Sequence, residues 1–394
     1  MTADALNPTQ RISKIAAIGE VFKPRTPVTQ KNLFAGRIEQ LSDLIQTCLQ
    51  PGQHAVVFGE RGVGKTSLAN VTYQVLGDQV NKPACGPINC DGTMDFSAIW
   101  HKAFREMHIG DDKTLDDAVP RSLTPDDIRH VVQNLSRTVF VFDEIDQIKD
   151  KKTPALMAAT IKNLSDHAVD TTIVLVGVAD SVDALIAEHA SVERALLQIP
   201  MPRMSQSEIL EIVRTGLARL QMSIEPEAEQ RIVTLSQGLP HFTHMLMLHA
   251  ANSAVTDGRL AISTNDLRKA IKQALKHSQQ SVKTAYQNAV ASPNKTNLYR
   301  QVLLACALAE TDNSGYFYSN AVRAPMSQIM GKPYDIPAFS PHLSAFCEEE
   351  RGPVLKRVGT PKNYRFRFIN PLMQPYVIMQ GLDTGLIDDE TAFG

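Results

Sequence analysis

One stretch, residues 59–67, constrains this chain more than any other. It reads GERGVGKTS and fits the phosphate-binding pattern G-x-x-x-x-G-K-[ST]. The apolar residues 54–58 before it suit a buried strand, and residues 67–76 after it suit a helix. Its glycines allow the loop to turn its N–H groups inward, where they can bind an anion. The alternative interpretation is a glycine-rich surface turn that binds nothing. The sequence therefore predicts a nucleotide site on these residues, called the phosphate loop below: Gly59, Glu60, Arg61, Gly62, Val63, Gly64, Lys65, Thr66 and Ser67.

Two side chains of the phosphate loop have predicted chemical roles. Lys65 should reach the β- and γ-phosphates of the nucleotide, and Thr66 should offer its hydroxyl to Mg²⁺. We therefore expect ATP and Mg²⁺ as cofactors, with Lys65 also contributing to catalysis.

A second motif begins with the apolar strand at residues 138–142 and ends in Asp143-Glu144-Ile145-Asp146. If this strand neighbours the strand before the phosphate loop in one parallel sheet, its terminal carboxylates face that loop. Asp143 would then hold Mg²⁺, and Glu144 would act as the general base that polarises the attacking water. Two acids at a strand end are weak evidence alone, but the phosphate loop upstream makes the pair specific.

Composition restricts the remaining possibilities. The formal net charge is −2, so no global excess of charge points to nucleic acid or an acidic membrane. The five cysteines form no C-x-x-C pair, which argues against a zinc site and favours a reducing, cytoplasmic environment. No apolar run approaches the length of a membrane span, and the first residues lack the apolar region of a signal peptide.

Periodicity divides the chain into four predicted parts. Residues 1–29 are polar and proline-punctuated, typical of an arm. Residues 30–204 alternate strands and helices, which predicts an α/β domain with a doubly wound parallel sheet. Residues 205–280 carry helical stripes and predict a small helical domain, and the polar residues 279–293 read as a linker. Residues 294–394 combine helices with a hairpin, a pattern that suggests a winged helix-turn-helix.

The hairpin at residues 354–368 is the candidate DNA contact. Strand alternation puts Arg365 and Arg367 on one face and the aromatic rings on the other. The cations predicted to meet phosphate are Lys356, Arg357, Arg365 and Arg367. Residues 340–347 are the candidate recognition helix. The alternative is an ordinary solvated hairpin, which the acidic residues 348–350 just before it favour.

Taken together, these residues resemble an AAA+ ATPase of the origin-recognition, or replication-initiator, clade. The resemblance covers nearly the whole chain, although STAND signalling ATPases and transposition ATPases share much of this layout. It implies a P-loop AAA+ core with a parallel sheet, a helical lid domain and a C-terminal winged-helix domain. It also implies that Phe34 lies near the adenine, that His241 stands at the lid's sensor position, and that Arg194 reaches a neighbouring subunit's γ-phosphate. A homo-oligomer or a partner AAA+ subunit would supply that neighbour.

Two departures from the clade predict slow hydrolysis or a nucleotide-stabilised switch. The first-sensor asparagine is not evident near Asp180, where that acid, Ser181 or a water could serve instead; alternatively, Asp180 is a helix N-cap. The lid often has an arginine where this chain has His241, which could equally be a capping group. Arg194 could likewise form an intramolecular salt bridge.

Three functions follow from this resemblance. The first is an ATP-driven, DNA-associated switch, either initiator-like or a regulator of mobile elements or defence. The second is a STAND-like signalling ATPase whose winged helix contacts protein instead of DNA. The third, a module that only holds nucleotide, is disfavoured because both the loop and the acidic motif are complete.

Overall fold

The computed structural model describes residues 6–29, 33–79, 86–107, 113–179, 192, 194–293, 297–312, 314–360 and 363–393. The chain forms two compact units. The core unit comprises Pro27–Glu60 and Gly64–Pro202, and the helical unit comprises Met1–Thr26, Arg61–Val63 and Arg203–Gly394. The tip of the phosphate loop, residues 61–63, therefore belongs to the helical unit.

The helices and strands follow in chain order. The helical unit begins with α1 (Pro8–Val21). The core unit contains α2 (Ile38–Cys48), β1 (His54–Gly59), α3 (Lys65–Gln79), β2 (Ile88–Asn89), α4 (Phe96–Arg105), α5 (Pro125–Val132), β3 (Thr138–Asp143), α6 (Thr153–Asp166), β4 (Thr171–Val178) and β5 (Leu196–Pro200). The helical unit continues with α7 (Gln206–Leu220), β6 (Ser223–Ile224), α8 (Pro226–Ser236), α9 (Pro240–Thr256), β7 (Ala261–Ile262), α10 (Thr264–His277), α11 (Gln280–Val290), α12 (Tyr299–Leu308), β8 (Phe317–Tyr318), α13 (Arg323–Met330), α14 (Ile336–Ala345), β9 (Leu355–Val358), β10 (Arg365–Phe368), α15 (Met373–Asp383) and α16 (Asp389–Phe393).

The core unit is built on a parallel sheet with the strand order β2-β3-β4-β1-β5. Every neighbouring pair in this sheet is parallel, which confirms the predicted α/β class. One condition of the prediction is wrong: β1 and β3 are not neighbours, because β4 pairs with both. The buried run of β4 suits this central place, since a strand covered on both faces is apolar throughout.

Aromatic packing holds the helices of the core unit against one side of this sheet. Trp100 of α4 is fully buried, and its ring lies 5.1 Å, centroid to centroid, from both Phe140 and Phe142 of β3. Phe104, one turn further along α4, contacts the same ring, so both residues lie on the buried face of this helix. Edge-to-face aromatic pairs of this kind stabilise by about 0.5–1.5 kcal/mol beyond their buried area. This cluster fixes β3, and with it the acidic turn at its end.

At the other end of the sheet, a buried histidine joins β1 to β4 and to the residue before β5. His54 is the first residue of β1 and is fully buried. Its backbone N–H donates to the carbonyl of Ala195, just before β5, at 2.8 Å. Its Nδ1 accepts the backbone N–H of Ile173 in β4 at 2.9 Å, so this nitrogen must be unprotonated. Burial lowers the pKa of His54 to about 4.

His54 should therefore make stability depend on pH. The neutral ring stabilises the fold fully above pH 6.5, and this contribution is lost as the pH falls toward 4, because the unfolded chain takes up the proton first. In His54→Asn, the amide oxygen can still accept the Ile173 N–H. Between pH 7 and pH 5, we expect the free energy of unfolding to fall by about 2 kcal/mol less in this variant than in the parent. Denaturation midpoints across this range measure the difference, with the exposed His167→Asn as control. Parallel curves for the parent and His54→Asn would contradict the expectation.

The helical unit confirms the predicted helices after residue 205. The hydroxyl of Ser205 caps α7 and that of Ser263 caps α10, each in a reciprocal capping box with the acid three residues on. Further along, β8, β10 and β9 form a three-stranded antiparallel sheet, and β9–β10 is the predicted hairpin.

Three segments of the helical unit differ from their predictions. The predicted arm contains α1, whose Ile18 and Val21 are buried and whose Lys14 donates to the Leu220 carbonyl of α7 at 2.7 Å. The predicted linker is helix α11 over most of its length. The candidate recognition helix begins earlier than predicted, at Ile336, because Pro337 suits a first turn. The four predicted domain ranges and the winged-helix assignment remain predictions.

Candidate functional site

The phosphate loop joins β1 to α3, as its pattern predicts. Gly59, Gly62 and Gly64 have φ values of 149°, 88° and 98°, a range that L side chains rarely adopt. A side chain at Gly59 would also collide with the carbonyl oxygen of Met201. Met201 is held there because its backbone N–H donates to the Phe58 carbonyl at 2.7 Å. The glycines therefore permit both the turn of the loop and its close packing against the chain after β5.

Lys65 is the first residue of α3, and only 8 % of it is exposed. Its ammonium donates to the carbonyl oxygens of Gly59 and Glu60, at 3.0 and 2.8 Å. These bonds hold a buried positive charge inside the curve of the loop, where the pattern places it for phosphate.

Thr66 and Asp143, the two predicted metal ligands, lie together in the core unit. The hydroxyl of Thr66 lies close enough to the carboxylate of Asp143 to lower its pKa. Burial raises the pKa of Asp143, while the Thr66 hydroxyl, the bond from the Glu144 N–H and the charge of Lys65 oppose that rise. The sheet thus brings the loop and the acidic motif together even though β4 separates their strands, and a hydroxyl beside a carboxylate is a donor set that Mg²⁺ accepts.

Glu144 follows Asp143 in an unusual backbone conformation. Its φ is 57°, in the left-handed region, and its N–H donates to Asp143 Oδ1 at 2.8 Å. The side chain is exposed, while Asp143 beside it is 3 % exposed. One acid thus stays in the protein interior and the next is open to solvent, an arrangement that suits a metal ligand beside a base.

The segment before α2 carries the candidate adenine residue. Phe34 is half-buried there, and its predicted role stays a prediction. Arg37, three residues on, is buried, also has a left-handed φ of 58°, and its guanidinium donates to the Pro202 carbonyl. Nearby in the chain, the Val28 N–H donates to the Ser67 hydroxyl at 3.0 Å, which ties the segment before α2 to the start of α3.

Within the helical unit, the loop tip lies beside the predicted sensor residue. The nearest atoms to a side chain placed on Gly62 would belong to Leu372, at 3.3 Å, and His241, at 3.9 Å. The Nδ1 of His241 bonds the Pro24 carbonyl at 2.7 Å. Burial lowers the pKa of His241; the bond to the Pro24 carbonyl opposes this, and the charges of Arg61 and Arg25 add to it. His241 therefore holds the segment after α1 through its bond to Pro24.

A cavity of about 930 Å³ opens in the helical unit next to these residues. His241 and Leu372 line it together with Arg25, His249 and His277, and the last two rings stack at 5.2 Å. Among the described residues that line the cavity, none is acidic. The lining combines apolar and ring surfaces with the cations Lys23 and Arg25.

The remaining predicted residues are less constrained. Arg194 is exposed immediately before β5, and its role stays a prediction. The sensor candidates Asp180 and Ser181 lie outside the described residues. Sequence reasoning missed the part played by Asp146, which accepts the Val178 N–H at 2.8 Å; an acid two residues after the predicted base was the available signal.

The basic face of the C-terminal hairpin is formed as predicted. Phe366 and Phe368 of β10 are buried, whereas Arg365 and Arg367 alternate with them on the opposite face. Both guanidinium groups lie over the Tyr316 ring, at 5.2 and 4.6 Å from its centroid. Arg357 lies over the Tyr364 ring at 4.7 Å, and Arg365 also pairs with Asp312 at 3.5 Å. These arginines are therefore held in defined positions by contacts within the unit.

Comparison with known proteins decides the family. The family model of novel STAND NTPase 1 matches residues 27–335. This chain belongs to that family. Among curated proteins, none matches the sequence.

Solved structures show a similar fold. The ORC2 protein of Aeropyrum pernix has 15% identity and a TM-score of 0.51, over 93% of this chain and 98% of its own. A Walker-type ATPase of Pyrococcus abyssi has 14% identity and a TM-score of 0.52, over 90% and 98%. The predicted P-loop AAA+ core is confirmed, and the chain is a P-loop NTPase.

Both halves of the predicted resemblance are supported. The family is the STAND alternative, whereas the initiator-like likeness is one of fold. In the described part of this novel STAND NTPase, no helix has the length and apolar character needed to span a membrane.

Proposed function

We propose that this novel STAND NTPase is an ATP-dependent switch that binds ATP with Mg²⁺, hydrolyses it slowly and associates with DNA. The observation that carries the ATPase part is the closeness of the Thr66 hydroxyl to the Asp143 carboxylate, with Glu144 next in the chain. In this proposal Thr66 and Asp143 hold Mg²⁺, Lys65 binds the β- and γ-phosphates, and Glu144 takes the proton of the attacking water. Mg²⁺ would offset the phosphate charge, and the loop's backbone would orient the phosphates.

The DNA part of the proposal rests on the basic face of the hairpin. Arg365 and Arg367 alternate with buried rings, so their charges point away from the core. Lys356 pairs opposite Arg367 on the same face, whereas Arg357 pairs opposite Phe366. Tyr316 holds two of the guanidinium groups in place, which reduces the entropy lost when they bind phosphate. Such contacts would supply affinity and no sequence preference.

Removing the hairpin cations should weaken DNA binding and flatten its salt dependence. Every cation that no longer reaches a phosphate should remove about one unit from the slope of log K against log salt. The variant carries alanine at Lys356, Arg357, Arg365 and Arg367. A control with the same change in net charge carries alanine at four exposed lysines of the core unit: Lys149, Lys151, Lys152 and Lys162. Fluorescence anisotropy with duplex DNA across a salt series, with and without ATP, measures both quantities.

The outcome also decides between the two candidate functions. If the hairpin variant and its control bind DNA with the same affinity and slope, the hairpin does not touch DNA. If the parent binds no DNA with ATP present, the STAND-like signalling function becomes the better proposal. In that case residues 294–394 would contact protein. The ion pair between Arg365 and Asp312 favours that second function, because it already offsets part of the positive charge.

Arg194 is proposed to act on a neighbouring subunit's nucleotide. A residue of this kind contributes about a thousandfold or more to the rate. We expect Arg194→Ala and Lys65→Ala proteins each to be inactive alone, and a mixture of the two to regain activity at mixed interfaces. Phosphate release from the mixture, set against each protein alone, measures this. Absence of recovery in an assembly shown to exchange subunits would reject the role between subunits in favour of an internal salt bridge.

A further inference from the structure

The turn after β3 holds the proposed base, Glu144, in a conformation that its neighbours must maintain. Glu144 has a left-handed backbone, which a residue with a Cβ adopts only when the surroundings impose it. Two local bonds brace the turn: the Glu144 N–H donates to Asp143, and the Gln147 N–H donates to the Glu144 carbonyl at 2.9 Å. Both bonds lie within the turn itself, so neither fixes it relative to the rest of the sheet.

Asp146 supplies a side-chain hydrogen bond between this turn and the sheet, in addition to the burial of Ile145 in the core. Its Oδ1 accepts the backbone N–H of Val178, the last residue of β4, at 2.8 Å. Its Oδ2 accepts the Gln147 side-chain amide at 2.7 Å. Strands β3 and β4 are neighbours in the sheet. Asp146, after β3, and Val178, at the end of β4, are nevertheless 32 positions apart in the chain. One carboxylate thus fastens the turn that carries Glu144 to the carboxyl end of the central strand.

We infer that Asp146 is a positioning residue for nucleotide hydrolysis, which holds Glu144 in place through the bond to Val178. The inference rests on the proposed role of Glu144 as the base. General-base catalysis depends on geometry, and a displacement of about 1 Å can lower a rate about a hundredfold. Nucleotide binding relies on the phosphate loop, so loss of Asp146 should change the chemical step and leave binding intact.

Asp146→Ala and Asp146→Asn separate this role from a merely structural one. The Val178 N–H is near solvent, since 45 % of Val178 is exposed, so water can satisfy it in Asp146→Ala and the fold should persist. Asparagine keeps an oxygen that accepts the Val178 N–H, and the Gln147 amide can rotate to receive its NH₂ group. The control is Asp166→Ala, which removes an exposed acid at the end of α6.

We expect Asp146→Ala to lower kcat about a hundredfold with KM and the Kd for a fluorescent ATP analogue unchanged. Asp146→Asn should restore kcat to near the parent value, and Asp166→Ala should match the parent. Parent-like kcat in Asp146→Ala would overturn the inference. So would an equal loss of kcat in Asp146→Asn, because charge would then matter and not the bond to Val178.

Two further outcomes keep the test decisive. If Asp146→Ala does not fold, Asp146→Asn alone decides: a parent-like kcat supports the inference, and a large loss overturns it. Glu144→Gln measured alongside separates the two claims. If Glu144→Gln hydrolyses ATP at the parent rate, the proposed base is wrong, and so is the inference. If Glu144→Gln loses hydrolysis while Asp146→Ala keeps the parent rate, only the inference is wrong.

Discussion

Replacing Glu144 with glutamine is expected to lower the rate of ATP hydrolysis about 10²- to 10⁴-fold, the usual contribution of a general base. The amide has the shape of the carboxylate but cannot take the proton of the attacking water. Nucleotide binding should persist, because the phosphate loop and Asp143 are untouched. Phosphate release gives the rate, and titration of a fluorescent ATP analogue gives the affinity.

The control for Glu144→Gln is Asp166→Asn, which neutralises an exposed acid of the same unit. It should retain the parent rate and affinity. Hydrolysis at the parent rate in Glu144→Gln would show that another group acts as the base. Loss of binding and hydrolysis together would show that Glu144 supports the bound nucleotide and not the chemical step.

Replacing Lys65 with alanine is expected to abolish measurable nucleotide binding. The ammonium is buried in the curve of the loop and bonds two of its carbonyls, so the loop itself sets the position of this charge. Two charge-assisted bonds to phosphate, each contributing about 1.5–3 kcal/mol, correspond to a loss in affinity of about 10²- to 10⁴-fold. Calorimetric titration with ATP and Mg²⁺ measures the loss.

Lys65 also bonds two carbonyls of its own loop, so stability must be measured beside binding. Lys65→Met keeps the length of the side chain and fills the same space, which makes it the matched variant. Both variants should melt near the parent temperature and bind no ATP. Parent-like affinity in Lys65→Met would show that the ammonium does not contact phosphate.

Local sequence patterns were enough to predict the phosphate loop of the candidate site. The phosphate loop depends on glycines and flanking elements that are adjacent in the sequence, so Gly59 to Ser67 could be recognised directly. The strand order could not be, because the insertion of β4 between β1 and β3 is decided by pairing between distant strands. For the same reason, the bond from Val178 to Asp146 was invisible in the sequence.

Two helices were missed although α1 also carries the apolar residues Ile12 and Ile15, which are exposed. In α1 only Ile18 and Val21 are buried, and in α11 only Val282 and Ala289. The capping box of Asn7 and Gln10, with Pro8 between them, was the signal that could have identified α1. The roles of Phe34, His241 and Arg194 remain predictions.

The position of α1 has a consequence for the order in which the chain folds during its synthesis. Lys14 of α1 and its partner Leu220 are 206 positions apart. At about 5–20 residues per second, α1 leaves the ribosome roughly 10 to 40 s before α7 can receive it. All of the core unit is made in that interval. The nucleotide-binding sheet can therefore form first, and α1, with 71 % of Ile12 exposed even in the finished fold, docks late and completes the helical unit.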